Sequence, residues 1–467
     1  MRPINILPMI LAGGIGERLY PLTSNRCKPA VPFGGNFRII DFTLMNCVCS
    51  GLRRIHVLTQ YHAQSLNRHR VERWNFLASE LGEYIEMVPP KMRGASGYYH
   101  GTAHAIYRNL EMLDQYRPDV VLVLSGDHIY RADYMRFIET HVERDADVTV
   151  LSDWVDAREC SSFGVLTLGE KGEISGFAEK PQDPTPHAKD GKCLINLGVY
   201  CFRTEFLVQA LVHDAKKRTP HDFGRNILPG AVGHASVLSC PLEVISPDRK
   251  PYWRDVGNID SYFQANMDLL KVPAPFELTD PRWPSNSRFY DWIPAICSTT
   301  TRIGGRSIQG RNLISSAVRM EHARVVNCVL SPRVRIGANC ELEDCILFEG
   351  AEVGRGTKLR RVIVEEGVRI PEGVKIGFGG DSEQFTTSPG GIVVISGRYR
   401  FPEFEMIREA LEIPANEGKE APPEEVHAEE AHPEEAHPEE AHPEDAHPEE
   451  AHPVPESAAR EEFVTTR

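Results

Sequence analysis

The N-terminal 271 residues alternate between short apolar runs and longer amphipathic stretches. Short apolar runs predict buried strands, whereas apolar residues at helical spacing predict helices. The predicted strands are Ile4 to Leu11, Ile55 to Thr59, Val120 to Ser125, Val148 to Leu151, Gly164 to Leu168 and Leu197 to Phe202. The predicted helices are Asp41 to Gly51, Thr102 to Tyr116, Ala132 to Arg144 and Thr204 to His213. This alternation predicts an α/β fold with an open, mostly parallel sheet and helices on both faces.

A different period begins after Gly304. Leu330, Ile336, Leu342 and Phe348 lie six positions apart; after a slip of one position Val353 and Leu359 resume the spacing, and Ile370 and Ile376, again six apart, follow. A period of six fits neither a helix nor a strand and is typical of a parallel β-helix, in which each hexapeptide forms one side of a triangular coil. Ordinary short antiparallel strands are the alternative.

Two segments lack these patterns. Residues 272–300 are rich in proline and aromatic residues, which predicts a linker packed across a domain boundary. In the extension 401–467, Ala-His-Pro-Glu-Glu repeats follow Glu417, and proline every five residues forbids a helix, so we expect a disordered tail. The predicted domains are therefore 1–271, the linker 272–300, the β-helix 301–400 and the extension 401–467.

The net charge of −14 belongs to the tail, because residues 417–456 hold fifteen acidic residues and one base, Lys419. A neutral remainder argues against nucleic-acid binding. We expect no membrane span, since every apolar run is too short, and no signal peptide, since Met1 to Leu11 leads into a glycine turn. Eleven scattered cysteines without Cys-x-x-Cys spacing predict buried, reduced thiols of a cytoplasmic protein.

A glycine-rich turn follows the first predicted strand. Gly13, Gly14 and Gly16 allow the backbone to approach a ligand closely, so that peptide N–H groups can point at phosphate oxygens. Arg18 and Lys28 add two cations, which suit a triphosphate better than a neutral sugar. The motif is neither a dinucleotide fingerprint nor a P-loop, and tight strand-to-helix turns also use glycine.

Two acidic motifs follow other predicted strands or lie near them in the chain. Asp127 follows Val120 to Ser125 after a single glycine, Gly126, and Asp255 lies in Trp253-Arg-Asp-Val-Gly257. Alone, Asp127 can cap a turn and Asp255 can pair with Arg254. Together with the glycine turn, two carboxylates meet the needs of a Mg²⁺-nucleotide, because Mg²⁺ prefers hard oxygen ligands shared with phosphates. This combination suits nucleotidyl transfer.

Longer motifs carry a family resemblance. Leu11-Ala-Gly-Gly-Ile-Gly-Glu-Arg-Leu19 with Lys28-Pro-Ala30 resembles the opening motif of sugar-nucleotide pyrophosphorylases. More specific motifs follow in order: Phe33-Gly-Gly-Asn-Phe-Arg-Ile-Ile-Asp-Phe42, Gly126-Asp-His-Ile-Tyr130, Phe163-Gly164, Glu179-Lys-Pro181, His221-Asp-Phe-Gly224 and Tyr252-Trp-Arg-Asp-Val-Gly257. From about Ile6 to Tyr399 the chain resembles the bacterial glucose-1-phosphate adenylyltransferase family of glycogen synthesis.

The resemblance implies a Rossmann-like nucleotidyltransferase domain followed by a left-handed parallel β-helix. It also implies the reaction, in which a phosphate oxygen of glucose 1-phosphate attacks the α-phosphorus of ATP in line and pyrophosphate leaves. No general base is needed, because the attacking oxygen is already ionised near neutral pH. The implied cofactor is Mg²⁺, held by Asp127 and Asp255. The implied partners are ATP, glucose 1-phosphate and an anionic allosteric effector, and the implied assembly is a homotetramer.

The resemblance also implies roles for single residues, read from the matching motifs. The implied catalytic residues are Arg18, Lys28 and Asp127. The implied nucleotide-binding residues are Gly13, Gly14, Gly16, Gln60, Gly101 and Thr102. The implied glucose-1-phosphate site consists of Tyr99, Gly164, Glu179, Lys180 and Asn196, with Lys180 facing the sugar phosphate.

The chain departs from the enteric members of this family at several positions. Those members have Arg-Gly-Thr-Ala-Asp where this chain has His100-Gly-Thr-Ala-His104, which removes a cation and an anion near the nucleotide pocket. Asn25 replaces their activator-binding lysine and Pro32 a histidine of their inhibitor site, whereas Arg26 and Arg38 remain as anion contacts. We therefore expect any anionic effector to differ from the enteric one.

Three other functions stay open from the sequence. One is a nucleotidyltransferase that uses UTP, GTP or another sugar phosphate. Another is a non-catalytic regulatory homologue, although such a protein has no need to keep Arg18, Lys28, Asp127, Lys180 and Asp255 together. The last is a metal-handling protein, since the tail places histidines every five residues from His427 to His452 beside carboxylates. A merely solvated tail is the interpretation we favour, because an unfolded chain must organise its own ligands.

Overall fold

The main sheet of the computed structural model is built around its first strand, β1 (Ile6–Ala12). The structure describes residues 4–91, 98–170, 172–248, 250–278, 280, 295–303 and 306–402. The next strands are β2 (Pro32–Phe33), β3 (Phe37–Arg38), β4 (Arg54–Thr59), β5 (Tyr84–Val88), β6 (Val120–Ser125), β7 (His128–Tyr130), β8 (Val148–Asp156), β9 (Gly164–Leu168), β10 (Ile174–Glu179), β11 (Lys192–Arg203), β12 (Val237–Pro241) and β13 (Trp253–Asp255). The α-helices are α1 (Ile39–Cys49), α2 (Ala63–Arg73), α3 (Thr102–Tyr107), α4 (Leu110–Tyr116), α5 (Tyr134–Glu143), α6 (Thr204–Asp214), α7 (Leu228–Ala231), α8 (Leu242–Ile245) and α9 (Ile259–Asp268).

The main sheet is half parallel and half antiparallel. Its order is β10-β9-β11-β6-β1-β4-β5, and β8 pairs with both β11 and β12. The strands β6, β1, β4 and β5 are parallel, whereas β11 runs antiparallel to β6, β8 and β9. The α/β prediction is confirmed, but the expected parallel pairing holds for one half of the sheet. In the described chain from β8 to β11 no α-helix intervenes, and parallel neighbours need such a crossover.

Helices cover both faces of the sheet because its central strands are apolar throughout. In β6, Leu122 and Leu124 belong to a buried cluster that includes residues of α1 and α5. Val121 and Val123 belong to a second cluster with residues of α3 and α6. Successive strand residues point to opposite faces, so each face of this strand requires its own cover. None of the helices in the described ranges has both the length and the apolar character needed to cross a bilayer.

The single helix predicted over Thr102 to Tyr116 is interrupted in the structure, whereas α1, α5 and α6 lie close to their predicted ranges. The interruption falls at Asn109, between α3 and α4. The buried Asn109 side chain donates to the Ala105 carbonyl at 2.8 Å and to the Tyr99 hydroxyl at 3.1 Å. Asparagine side chains that bond to nearby backbone compete with helical hydrogen bonding. An apolar pattern alone does not reveal this competition.

Short strands stacked in three parallel sheets form the C-terminal region. They are β14 (Ala295–Ile303), β15 (Arg306–Ile314), β16 (Arg319–Met320), β17 (Arg324–Val326), β18 (Val329–Leu330), β19 (Arg335–Ile336), β20 (Glu341–Glu343), β21 (Ile346–Leu347), β22 (Glu352–Val353), β23 (Lys358–Arg360), β24 (Val362–Val364), β25 (Arg369–Ile370), β26 (Lys375–Ile376), β27 (Thr386–Thr387) and β28 (Val393–Ile395). The sheets follow the orders β14-β15-β18-β21-β24-β28-β27, β16-β19-β22-β25 and β17-β20-β23-β26, and they are parallel except where β14 pairs with β15 and β27 with β28. The predicted parallel β-helix is confirmed.

The coils of the β-helix repeat every 17 residues, not every 18, and this explains the slip in the six-residue period. The first coil is one residue shorter, since Ile314 pairs with Leu330 and Met320 with Ile336. From there Leu330 pairs with Leu347 and Leu347 with Val364, and the other two sheets keep this separation, with Arg335 opposite Glu352 and Glu341 opposite Lys358. One side of each coil therefore has five residues. Leu347 occupies the interior position that the spacing assigned to Phe348. Phe348 instead packs in the apolar cluster shared with the N-terminal region, so that single assignment was wrong.

The β-helix packs against the N-terminal region through one of its faces. Val329, Ile346 and Ile363 lie in the same buried cluster as Phe276 and Leu278 from the proline-rich segment. Strand β14 begins at Ala295, inside the range predicted as the linker. Residues 281–294 and the tail from 403 onward lie outside the described residues, so the predicted disorder of the tail stays a prediction.

Candidate active site

A cleft of about 580 Å³ lies beyond the carboxyl ends of β1 and β6, and β10 and β11 contribute its far wall. Ligands of open α/β sheets bind at this edge. Thirteen of the residues predicted for the site line it: Gly13, Gly14, Lys28, Gln60, Tyr99, Gly101, Thr102, Asp127, Gly164, Glu179, Lys180, Asn196 and Asp255. Residues from nine separate stretches of the chain thus meet in one cavity.

Two other predicted residues lie just outside the lining. Gly16 has a φ of 75°, and a Cβ there would lie 2.9 Å from the Cβ of Lys28, so glycine is required for the turn to pack on the lysine. Arg18 is exposed at the rim. A Cβ on Gly257 would meet the Arg18 guanidinium at 3.1 Å and the Asp255 carboxylate at 3.0 Å, so this glycine leaves room for both.

Lys28 lies between the two aspartates. Its Nζ is 2.7 Å from Asp127 Oδ2 and 3.1 Å from Asp255 Oδ1, although these partners are 99 and 227 residues away in the chain. The antiparallel pairing of β7 with β13 sets Asp255 opposite His128 and so brings the acidic motifs together. Asp127, His128 and Asp255 each offer a ligand atom, and these atoms lie within 4.8 Å of one another.

Lys28 and Asp127 are both held in their charged forms. Burial acts to raise the pKa of Asp127, but the Lys28 and His128 charges and hydrogen bonds from Lys28 and Ser125 outweigh it, so the pKa lies below its usual range. Burial acts to lower the pKa of Lys28, and the two carboxylates outweigh it, so that pKa is raised. The Lys28 ammonium thus marks a place in the cleft that favours positive charge.

The wall formed by β9, β10 and β11 carries four of the predicted sugar-phosphate residues, Gly164, Glu179, Lys180 and Asn196, whereas Tyr99 lies beside Gln60 on the opposite wall. A Cβ on Gly164 or Gly224 would lie 2.9 or 2.8 Å from Glu179 Oε2, so two glycines make room for this carboxylate. Burial raises the pKa of Glu179, and the charge of Lys180 partly opposes the rise. The Lys180 side chain is half exposed, with Nζ 3.8 Å from Glu179 Oε1. It supplies a cation on this side of the cleft.

Asn196 lies in an irregular part of β11, where the pairing with β8 shifts register. Its Nδ2 donates to the Tyr200 hydroxyl at 2.9 Å, and its Oδ1 accepts from the Gly198 backbone N–H at 2.9 Å. A bulge of this kind redirects side chains out of the regular alternation of a strand. Asn196, Leu197 and Gly198 consequently all border the cleft.

The opposite wall carries the predicted nucleotide residues. The Tyr99 backbone N–H donates to Gln60 Oε1 at 2.7 Å, and a Cβ on Gly13 would lie 3.2 Å from the Cβ of Gln60. A Cβ on Gly101 would collide with the backbone carbonyl oxygen of Pro220. Thr102 Oγ1 donates to Asp222 Oδ2 at 2.8 Å. The segment that holds Gly101 and Thr102 therefore packs tightly against residues 220–223.

Several cleft residues were not assigned roles by the sequence. Ser125, Tyr61, His128, Asp222 and Trp253 also line the cavity. His128, Asp222 and Trp253 occur inside motifs that carry the family resemblance, and Ser125 directly precedes one of them, so position in or beside a motif was an available signal. Tyr61 offered no signal beyond its place next to Gln60.

Arg26 and Arg38, the predicted effector contacts, lie away from the cleft and face the β-helix. The buried Arg26 has its Nη2 3.2 Å from Glu366 Oε2 and its Nη1 3.7 Å from Glu365 Oε1. Arg38 Nη2 is 3.9 Å from Glu366 Oε1, and Arg38 Nε donates to His69 Nδ1 at 3.2 Å. The structure therefore places both arginines in an ion cluster with the carboxylates of the β-helix.

Comparison with known proteins identifies the family. Residues 7–272 match the family model described as nucleotidyl transferase, and residues 298–395 match the model described as GlmU-like, C-terminal hexapeptide. Glucose-1-phosphate adenylyltransferase 2 of Vibrio parahaemolyticus is 44% identical over 401 residues, which is 85% of this chain and 99% of that protein. The glucose-1-phosphate adenylyltransferase of Koribacter versatilis is 41% identical over 348 residues, 73% of this chain and 82% of that protein. That of Pectobacterium carotovorum is 39% identical over 352 residues, again 73% of this chain and 82% of that protein. This chain belongs to the glucose-1-phosphate adenylyltransferase family of nucleotidyltransferases.

Proposed function

We propose that the cleft binds ATP against the glycine turn and glucose 1-phosphate against the wall of β10 and β11, with Lys28, Asp127 and Asp255 between them. The chain transfers the adenylyl group of ATP to glucose 1-phosphate, giving ADP-glucose and pyrophosphate, as its family membership establishes. We place this reaction in bacterial glycogen synthesis. The observation that carries the site assignment is the bridge from Lys28 to two aspartates that are distant in the chain.

The residues present fit a divalent cation. Two carboxylates with ligand atoms within 4.8 Å of each other supply hard oxygen donors, which Mg²⁺ prefers, while the imidazole of His128 is a poorer donor for it. The Lys28 ammonium between the same carboxylates supports the idea that they accept positive charge there. We propose that Asp127 and Asp255 hold Mg²⁺. When bound, the ion would neutralise charge on the α-phosphate of ATP.

The chain's own residues then have separable tasks. The Lys28 ammonium stabilises the negative charge on the α-phosphate oxygens, and Arg18 at the rim stabilises the departing pyrophosphate. Lys180 holds the phosphate of glucose 1-phosphate so that its oxygen faces the α-phosphorus in line. The Glu179 carboxylate accepts hydrogen bonds from the sugar, and the Asn196 amide donates a hydrogen bond to it. No side chain needs to remove a proton, because the attacking phosphate oxygen is already ionised.

Product identification with a variant tests this function. The chain is incubated with Mg²⁺, glucose 1-phosphate and each of ATP, UTP and GTP, and we expect ADP-glucose and pyrophosphate with ATP as the preferred nucleotide.

We expect Asp127→Asn to lower kcat by about 10²- to 10³-fold while the fold stays intact by circular dichroism. Asp133→Asn is the matched control, because Asp133 caps α5 outside the cleft and asparagine keeps the cap. Full activity of Asp127→Asn would overturn the site assignment.

Three further expectations remain proposals. We propose a homotetramer, an anionic effector that differs from the enteric one, and a cytoplasmic location. The ion cluster of Arg26 and Arg38 with Glu365 and Glu366 is relevant to the effector. An anion that binds these arginines must either displace the two carboxylates or bind beside them. Sedimentation velocity and a screen of sugar phosphates and carboxylic acids in the rate assay test the first two.

A further inference from the structure

Three histidines meet beside the nucleotide wall of the cleft, and the proposed mechanism uses none of them. The rings of His100 and His104 have centroids 5.0 Å apart, and those of His104 and His221 lie 5.7 Å apart. His100 lines the cleft next to Gly101 and Thr102. His104 occupies the first turn of α3 and borders a small cavity behind the wall.

His104 makes a hydrogen bond that fixes its protonation state. The backbone N–H of His100 donates to His104 Nδ1 at 3.0 Å. An imidazole nitrogen accepts a hydrogen bond only when it carries no proton, so the ring is neutral with its proton on Nε2. His104 is the third residue after the helix cap Gly101, and side chains at this position reach back to backbone donors before the helix in the same way as a capping box.

The groups around His104 favour its neutral form. Burial lowers the pKa of His104 to about 4, and the charges of His100, His221 and Arg108 act in the same direction. Asp214 opposes them, but its carboxylate bonds to His221 Nδ1 at 2.7 Å. The Tyr107 ring stacks on His104 with centroids 6.2 Å apart. The acceptor at Nδ1 is therefore present throughout the neutral pH range.

Other contacts fix the opposite side of the same segment. The backbone N–H groups of Ala103 and His104 both donate to the His221 carbonyl, at 2.9 and 3.2 Å. Thr102 Oγ1 accepts from the Phe223 N–H at 3.0 Å. These bonds hold the start of α3, whereas the bond to His104 Nδ1 extends the constraint back to His100, at the surface of the cleft.

We propose that His104 is a positioning residue for ATP, whose neutral imidazole holds the His100 amide and thereby fixes residues 100–102 in the nucleotide wall. The inference rests on the proposed placement of ATP against this wall. It goes beyond that proposal by assigning the orientation of the wall to a histidine that does not itself line the cleft.

Two substitutions with opposite expectations test the role. In His104→Asn the side-chain Oδ1 takes the place of Nδ1 and accepts the same bond, whereas His104→Leu removes the acceptor. We expect His104→Leu to raise the KM for ATP about five- to tenfold, the loss of one hydrogen bond, with kcat and the KM for glucose 1-phosphate within about twofold of the wild type. We expect His104→Asn to keep the KM for ATP within about twofold. The exposed His234→Leu is the control and leaves all three constants unchanged.

Hydrogen exchange of the ligand-free chain measures the contact without reference to catalysis. We expect peptides that contain the His100 amide to exchange faster in His104→Leu and at the wild-type rate in His104→Asn, with no change in β6. If His104→Leu does not fold, His104→Gln replaces it, because its amide oxygen lies one bond too far for the same contact. An unchanged exchange rate, or a fall in kcat with an unchanged KM for ATP, overturns the inference. If the variants show the expected exchange rates but the wild type forms no ADP-glucose, the proposed function is contradicted and the role of His104 is not.

Discussion

The catalytic cleft and the β-helix are assembled from the sequence in opposite ways. The cleft joins Lys28 to carboxylates 99 and 227 residues away, and its centre is a cluster of charges. The β-helix joins residues 17 positions apart, coil after coil, and its interior is aliphatic. In the proposed function the charged groups of the cleft serve catalysis, whereas the apolar groups inside the β-helix stabilise the fold. Substitutions in the two regions should therefore affect different measurements.

The largest effect is expected from removing the cation at the centre of the cleft. Lys28→Met keeps an unbranched apolar side chain of nearly the same length but leaves Asp127 and Asp255 facing each other without a positive charge. We expect kcat to fall about 10²- to 10³-fold. Lys28→Arg keeps the charge in a different shape and is the comparison, with an intermediate loss. Steady-state kinetics measure kcat of both variants, and a higher kcat for Lys28→Met than for Lys28→Arg would contradict the account.

A smaller effect, on stability alone, is expected from the interior of the β-helix. Leu347→Ala removes a fully buried side chain between two coils and should lower the free energy of unfolding by about 3 kcal/mol. We expect kcat/KM to stay within about twofold, because the cleft belongs to the other region. Lys375→Ala, at an exposed position in another sheet of the β-helix, should change the unfolding free energy by less than about 0.5 kcal/mol. Urea unfolding measures both variants. A large fall of kcat/KM in folded Leu347→Ala would contradict the expectation that the β-helix interior affects stability alone.

The smallest effect is expected where the two regions meet. Glu366 is about one-third exposed and lies 3.2 Å from Arg26 and 3.9 Å from Arg38. We expect Glu366→Gln to lower the free energy of unfolding by less than about 1 kcal/mol, and the difference to shrink in high salt. Glu349→Gln is the matched control, because Glu349 is equally exposed but pairs with Arg333 within the β-helix. Equal salt dependence of the two variants would show that the ion pairs between the two regions stabilise the fold no more than an ion pair within the β-helix.

The two regions also differ in how far their structure follows from the sequence. The coils of the β-helix were predictable because each depends on neighbours in the chain, and only the five-residue side that moves Leu347 inward and Phe348 outward was missed. In the cleft, the motifs identified Lys28, Asp127 and Asp255, but not that the lysine bridges both carboxylates. That bridge depends on the pairing of β7 with β13, a tertiary contact that no local pattern encodes.

Other details depended on tertiary packing as well. The antiparallel direction of β11 relative to β6 follows from the connections between the strands, and the break in the helix before α4 follows from the hydrogen bonds of Asn109. Arg26 and Arg38 were predicted as anion contacts from the family resemblance, and this role stays a prediction. Their partners Glu365 and Glu366 lie in the β-helix, about 340 residues later, and nothing near the arginines in the sequence points to them.

A double-mutant cycle on the two aspartates tests the central claim that they act as one site. The rates of Asp127→Asn, Asp255→Asn and the double variant are measured with ATP, Mg²⁺ and glucose 1-phosphate. If both carboxylates serve the same charge, the double variant should lose little more than the worse single variant, within about tenfold, because residues that act as a unit are not additive. Losses that multiply in the double variant would show two independent roles and contradict the account.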